Sequence, residues 1–544
     1  MSLKAMFKYE PNKEYNFTIQ QSIKNEKSQK EDENQKVYKS YDKNLEYMNI
    51  KYNTAINSDI VVREFFLLAE NKKYRAFLFF IDGMTNSDLI NNYVLKPLMM
   101  RNKNNTYEKN ESNKVEIIRK EDLKDYIYNA LIPQNNVIEE TEFNKICDSI
   151  NSGNCVLFID TIEVAFNIDV KGFKQRNIDK PISENVIKGP QEAFVENIRT
   201  NTSLLRRLVN NEKLIIENIS IGNISKTKCA LCYMQNITNS DLVAEARHRL
   251  NNLDIDTLTS TGQLEQLIQD DYLTTGIPQI LSTERPDKCV KAIMQGRAII
   301  MVNGNPYVLI IPSVMTDFLN SPEDSNLKPL FANFLREIRF LAFILTLLLP
   351  GMYIAITSFH QELLPTELMF SILAARENVP FPIIFELLIM EIAFELIREG
   401  GLRSPSAIGA TLGIVGALIL GDAAVSANIV SPILIIIVAI TGLASFTIPD
   451  FSFGFHLRVY RFGFIILGYI AGFLGIGLGI VVYIATISSL KSFGVNYITP
   501  ISASNLNTGK NYFISPFWKQ EYRSKYLAPK KNQSQSEVSM KWRN

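Results

Sequence analysis

Apolar and polar positions divide this chain of 544 residues into unlike stretches. Up to about residue 58, Lys, Glu and Asn dominate and branched apolar residues are sparse. Such a composition buries too little surface to offset the entropy of ordering, so residues 1–58 are expected to be disordered and folding to begin near Asp59. From there to about 335, short apolar runs alternate with amphipathic stretches. From about 340 to 490 the chain is almost continuously apolar, and the last fifty or so residues are polar again.

The middle stretch repeats itself. The apolar run AFLFFIDG is followed by Thr85-Asn86-Ser87-Asp88-Leu89, and CALCYMQNI by Thr238-Asn239-Ser240-Asp241-Leu242. Each reads as a strand, a capped turn and a helix, because Asn, Ser and Asp satisfy free N–H groups of a first helical turn. Further on, helix-like residues 140–151 lead to Gly153 and NCVLFID, as 283–294 lead to Gly296 and RAIIMVN. Two related α/β units follow, about 60–172 and 195–312. The Asn/Lys-rich piece 102–114 reads as a surface insertion in the first.

In the apolar stretch, Phe340 to Phe359 is uncharged and long enough for a hydrocarbon core of about 30 Å, with Pro350-Gly351 as a kink. Ile383–Ile397 carries acids, Ile408–Leu420 is short, and Ile429–Ile448 is a clear span. Phe462–Leu490 is too long for one simple crossing. Arg336 and Arg339 place the amino-terminal domain inside by the positive-inside rule, and the basic tail argues for inside as well. Five simple crossings would put that tail outside, so one segment is re-entrant or the last is double. The expected fold is an α/β cytosolic domain of two related α/β units followed by an all-α polytopic membrane domain. Its expected parts are 59–172 (first unit), 173–194 (linker), 195–335 (second unit), 336–490 (transmembrane helices) and 491–544 (basic tail).

Composition narrows the chemistry. A net charge of +1 gives no electrostatic case for nucleic acid. The five cysteines, Cys147, Cys155, Cys229, Cys232 and Cys289, all precede the apolar stretch, and no charged segment leading into an apolar one opens the chain. A reduced cytosolic domain without disulfides is therefore expected. Cys229 and Cys232 form a CxxC inside CALCYM with no second pair or nearby His, so core packing is the expected role. His248, His360 and His456 lack metal-ligand spacing, and no GxSxG or P-loop occurs. No enzyme activity, metal or cofactor is expected.

The segment IIFELLIMEIAFELIR carries the sharpest signal. At about 100° per residue, Glu391, Glu395 and Arg398 share one helix face, while Glu386 points nearly opposite to Glu395. An acid at membrane depth costs about 2.5 kcal/mol or more, so it faces a cavity, a partner or a pore. In a ring of identical subunits such acids would favour cations. The alternative is an internal ion pair of Glu391 or Glu395 with Arg398, and for Glu386 a water-facing interfacial position. Gly409, Gly413, Gly416 and Gly421, then Gly468, Gly472, Gly475 and Gly479, have the small-xxx-small spacing of closely packed helices. Asp422 lies just beyond the first set, where it could sit at a pore mouth.

Six blocks, in order, resemble the A subunits of the GerA family of spore nutrient-germinant receptors. They are GPQEAFVENIRTNTSLLRR (from Gly189), TERPDK (from Thr283), FHQELLPTELMFSILAARENVPFP (from Phe359), FELIREGGLRSP (from Phe394), IGATLGIVGALILGDAAVSANIVSP (from Ile408) and SFGVNY (from Ser492). The resemblance covers roughly 180 to 505. It departs from the family at Gln295, Gly400, Ser404 and Asn496, where an acid, Ala, a larger apolar residue and Pro are usual. It implies a receptor complex in the spore inner membrane, with a permease-like B subunit, a lipoprotein C subunit and ion release on nutrient binding. It also implies a homo-oligomeric, channel-forming role for this chain. A non-conducting scaffold between the B subunit and a separate channel is the alternative, and a secondary transporter a further one. In the first two family blocks, Glu192, Arg199, Arg206 and Arg207, then Glu284, Arg285 and Asp287, are charged clusters available for assembly or relay, a solvated face being the plainer reading.

Overall fold

Tyr41, Leu45, Met48 and Tyr52 recur at helical spacing, and together they make the inner side of the first helix, α1 (Tyr41–Tyr52). Folding therefore begins before Asp59, contrary to the expectation for 1–58. The polar composition of that region hides one apolar stripe, which docks on Phe77 and Phe79 with ring centroids 5.3 Å and 5.1 Å apart. The computed structural model describes residues 17–19, 35–69, 72–100, 120–172, 181, 184–270, 276–403, 421–500 and 513–535. The 102–114 insertion and the Ile408–Leu420 segment, with Gly409, Gly413 and Gly416, lie outside these residues.

The first sheet holds β1 (Ile60–Ala69), β2 (Lys72–Ile81), β3 (Val137–Glu140), β4 (Cys155–Ile159) and β5 (Ala165–Ile168), in the order β1-β2-β4-β5-β3. Helical segments α2 (87–100) and α3 (120–131) separate β2 from β3, and α4 (Phe143–Asn151) separates β3 from β4. The second unit opens with α5 (Ile198–Leu208). It continues through β6 (Leu214–Ile221), β7 (Thr227–Met234), α6 (Ser240–Asn251), α7 (Thr261–Ile268), β8 (Leu281–Thr283), α8 (Pro286–Met294), β9 (Ala298–Val302) and β10 (Val308–Ile311). Its order, β6-β7-β9-β10-β8, is that of the first sheet shifted by five strands, and every pairing in both is antiparallel. The two capped turns match as well. The Asn86 side chain accepts from Asp88 N at 2.9 Å, and that of Asn239 from Asp241 N at 2.8 Å.

Both faces of the second sheet are covered. On β7, Ala230, Cys232 and Met234 join one apolar core, while Cys229, Leu231 and Tyr233 join the other. The period of two thus sends the CxxC thiols to opposite faces, where they cannot close a disulfide. All five cysteines are buried and unbridged, and burial pushes the Cys229 thiol up to about 12.

After β10, α9 (Met315–Leu319) leads to α10 (Pro329–Phe359), which continues through Pro350 as one helix of 31 residues, about 46 Å long at 1.5 Å per residue. Next come α11 (Thr366–Arg376), α12 (Ile383–Arg403), a helical turn at 421–426, α13 (Pro432–Thr447) and α14 (Phe451–Ser489). Among the described residues, α10 and α14 are long and apolar enough to cross a bilayer, while α13 is a shorter apolar helix.

The 39 residues of α14 are not one rod. At Gly472 the backbone takes φ 58° and ψ −138°, which glycine alone adopts easily, and the chain folds back. His456 and Tyr483, 27 residues apart, come within 3.2 Å, and Phe464 stacks edge-on against Tyr483. Glycines make the fold-back close. A Cβ on Gly475 would stand 2.2 Å from the Leu467 carbonyl oxygen, and one on Gly479 2.8 Å from Leu467. Gly468 packs against α10, where its Cβ would meet the Gly351 oxygen at 2.6 Å.

The turn at Gly472 falls within Phe462–Leu490, the segment too long for one simple crossing, and makes a helical hairpin there. It returns the chain to the second sheet, where Met315 N donates to the Tyr497 oxygen at 2.8 Å and Ser313 N to Ser492 Oγ at 3.1 Å. The tail stays at the same end. Arg523 Nε donates to the Met294 oxygen at 2.6 Å, and Lys530 N to the Ile237 oxygen at 2.9 Å.

Candidate functional site

The helix α12 is 21 residues long and interrupted by acids at Glu386, Glu391 and Glu395. Helical periodicity turns Glu391 and Glu395 toward the first arm of α14, which presents Arg458 and Arg461 three residues apart and so on one face. Arg461 Nη2 lies 2.7 Å from Glu391 Oε2 and 3.0 Å from Glu395 Oε1, bridging the two carboxylates. Arg398 pairs with the other Glu395 oxygen, and Arg458 Nε stands 3.9 Å from Glu395 Oε1. Glu391 and Arg461 are almost wholly buried, at 0 % and 1 % exposure. Removing one partner of such a buried pair costs about 3–5 kcal/mol, because the other charge is left uncompensated. The cluster fastens α12 to α14.

Glu386 is buried, not water-facing. It accepts from Arg376 Nη2 of α11 at 3.0 Å and from Ser431 N, just before α13, at 3.2 Å. Ile384, Leu387 and Leu434 make the surroundings of the α12 amino terminus apolar. Asp422 is exposed.

A second set of charges sits where α10 leaves the second unit. Asp324, 1 % exposed, accepts from Arg339 Nη1 at 2.8 Å with both oxygens and from Arg336 Nε at 3.3 Å. The two arginines that precede the apolar stretch therefore also bolt that helix to the turn before it.

The charged blocks of the soluble part go elsewhere. Arg206 is buried against Asp59, while Arg199 pairs with Asp82 and Arg207 with Glu192 nearer the surface. Glu284 and Arg285 do not form a solvated face either. Both are buried, the Glu284 side chain accepting from Glu184 N at 3.2 Å. Arg285 grips Asp287 at 3.0 Å and the carbonyls of Glu184 and Pro190 at 3.0 Å and 2.8 Å. These bonds tether the chain at Glu184 and Pro190 to the start of α8, while residues 187–191 are exposed and Ala193 and Phe194 are buried.

Sequence reasoning missed Arg458, Arg461, Arg376 and Asp324. The signal for the first two was present in HLRVYRF, two arginines on one face within an apolar run. It was lost because the last span was taken to begin at Phe462, one residue beyond them.

One apolar core links these parts. From the second sheet (Leu214, Cys232, Ile299, Ile310) it continues through Phe318, Phe453 and Tyr497 into α10 and α14 at Leu347, Phe464 and Tyr483. Phe453 lies between Phe318 and Phe343, with centroids 5.8 Å and 6.1 Å away.

Known proteins resemble this chain over most of its length. The family model described as Bacillus/Clostridium GerA spore germination protein matches residues 47–526. Spore germination protein KA of Bacillus subtilis is 36% identical over 474 residues, covering 87% of this chain and 84% of that protein. Spore germination protein B1 of the same organism is 37% identical over 436 residues, covering 80% and 86%. Among solved structures, the N-terminal domain of the A subunit of the Bacillus megaterium spore germinant receptor GerK3 is 30% identical. It covers 52% of this chain and 98% of its own, at a TM-score of 0.38.

Proposed function

Because this chain belongs to the GerA family of spore germination proteins, we propose that it is the membrane-embedded A subunit of a nutrient-germinant receptor, relaying a nutrient-dependent change from its soluble domain to its membrane helices. One observation carries this reading. The apolar core runs without a break from the second sheet into α10 and α14, so the sheet and those helices move as one body. The complex sits in the spore inner membrane with the amino-terminal domain in the cytosol, and a permease-like B subunit and a lipoprotein C subunit complete it. Several copies of this chain assemble, and ions leave through the assembly. Asp422, exposed beside α13, lines the path. Glu386, Glu391 and Glu395, each held by an arginine, act as clasps whose release changes the spacing of the helices.

The same pairing favours a second reading, a scaffold that conducts nothing and passes the signal to a separate channel. A carboxylate neutralised within its own chain offers little to a passing cation. Potassium efflux from vegetative cells expressing this subunit with its B and C partners separates the two. Nutrient would be added to wild type, Glu391→Gln, Glu395→Gln and Phe453→Ala. Nutrient-dependent efflux that the glutamine variants alter, and that Phe453→Ala abolishes with assembly intact, supports the channel-forming relay. A verified, nutrient-binding complex that passes no ions moves the assignment to the scaffold.

A further inference from the structure

We propose that the cluster between α12 and α14 binds one small monovalent anion, of the halide class, among Arg398, Arg458 and Arg461. The inference deepens the reading of this cluster as a clasp. Three guanidinium groups meet two carboxylates, Glu391 and Glu395, leaving an excess of one positive charge. The nearest further pair, Glu399 and Arg403, cancels itself at 2.7 Å. All three arginine side chains are more than nine-tenths buried, at 8 %, 8 % and 1 % exposure.

Their donors are not used up. Arg398 Nε and Nη1, Arg458 Nε and Nη2, and Arg461 Nε and Nη1 are buried without a hydrogen-bond acceptor among the described residues. Buried N–H groups of a charged side chain without acceptors are costly. The chain cannot remove the excess itself. Arginine stays protonated under all ordinary conditions, and protonating either glutamate would enlarge the imbalance.

Charge and surroundings select the ligand. One negative charge neutralises the cluster, whereas a divalent anion such as sulfate would overshoot it. Phe451 and Phe455 flank Arg458 at 5.9 Å and 5.3 Å, and Phe462 flanks Arg461 at 5.8 Å. These rings supply no donors for a large oxyanion, while a halide needs only the buried N–H groups that the three arginines leave unpaired. Once bound, the anion links Arg398 of α12 to Arg458 and Arg461 of α14, closing the clasp with a removable part.

The test uses the purified full-length chain in detergent at fixed potassium concentration. Equilibrium dialysis with radiolabelled chloride, with and without bromide, gives the stoichiometry. Thermal unfolding in chloride, bromide and gluconate gives the stabilisation. The expected result is one saturable chloride per chain, displaced by bromide but not gluconate, and a Tm higher by about 2–4 °C in chloride than in gluconate. Arg398→Gln, which removes the excess charge, should lose both effects, and Arg398→Lys should keep weakened binding. If Arg398→Gln does not fold, Arg458→Gln takes its place. Absence of saturable chloride binding to folded wild type overturns the proposal, as does an undiminished effect in the glutamine variants. Neither outcome depends on nutrient, partner subunits or efflux, so this proposal can fail while the relay reading stands.

Discussion

Arg206 ties the two α/β units together, and replacing it should loosen them far more than replacing any other charge on the same helix. Its Nε and Nη2 donate to the two oxygens of Asp59 at 2.8 Å each, and Nη2 also reaches Asn57 Oδ1 at 2.9 Å. Asn57 in turn accepts from Ile216 N at 3.0 Å and donates to the Leu214 oxygen at 3.3 Å, so the entry to β1 is held against β6. Arg206→Met keeps the apolar stem and deletes the charge, stranding the Asp59 carboxylate in a buried site at a cost of about 3–5 kcal/mol. Arg199→Gln, on the same helix and joining the same two units through Asp82, cuts a pair that is 49 % and 40 % exposed, worth about 0–1 kcal/mol. At roughly 2–4 °C per kcal/mol for a large domain, the first should lower the unfolding temperature by on the order of 10 °C and the second by at most a few degrees. Scanning calorimetry of the full chain in detergent, with proteolysis of the connecting segment after residue 172 as a second readout, measures both. The double variant Asp59→Asn with Arg206→Met should recover part of the loss, because no charge is left unpaired. The reasoning fails if Arg206→Met is no worse than Arg199→Gln, or if the double variant costs the sum of its parts.

Two further outcomes follow from local geometry. Gly468→Ala places a Cβ 2.6 Å from the Gly351 oxygen and should destabilise the bundle by about 1–3 kcal/mol in thermal unfolding, whereas Gly463→Ala, with open space around it, should stay within about 0.5 kcal/mol. Glu265 on α7 is raised to about 7, chiefly by burial and then by the charge of Asp450 at the start of α14. The folded chain then holds this proton more tightly than the unfolded chain. The stabilisation is complete below the ordinary carboxylate value near 4.5 and is lost as pH climbs through about 7. Wild-type Tm should therefore fall between about pH 5 and about pH 8 more steeply than that of Glu265→Gln, and equal slopes would contradict the assignment.

What the sequence disclosed depended on whether a feature was local. The capped turns at Asn86 and Asn239 could be read because an N-cap is written within four residues. The inner face of α12 could be read because periodicity alone aligns Glu391, Glu395 and Arg398. Their partners could not, since Arg461 is 66 residues beyond Glu395 and nothing in the chain states which helix faces which. Glu386 went astray for the same reason, as its place opposite Glu395 is polar only because Arg376 and Ser431 arrive there. α1 was hidden by averaging, where four apolar residues on one stripe vanish in a polar composition. The last apolar segment was legible as too long for one simple crossing, but only the backbone at Gly472 says where it turns.

The hairpin at Gly472 has a mechanical consequence. By bringing α14 back to the second sheet, it makes that sheet grip the apolar bundle at two ends of the chain, through α10 at Asp324 and through the return strand at Ser492. A helix held at one end can swing, but a loop held at both can only follow its holder. α10 and α14 therefore form a rigid frame, turned as a handle turns a key. α12 and α13 pack on that frame through Tyr353 and Ile354 of α10 and Ile465 of α14, and the charges of Glu391, Glu395 and Arg461 add a polar tie between α12 and α14. A rotation of the soluble part would thus act on α12 as shear along the seam where Glu391 and Glu395 meet Arg461.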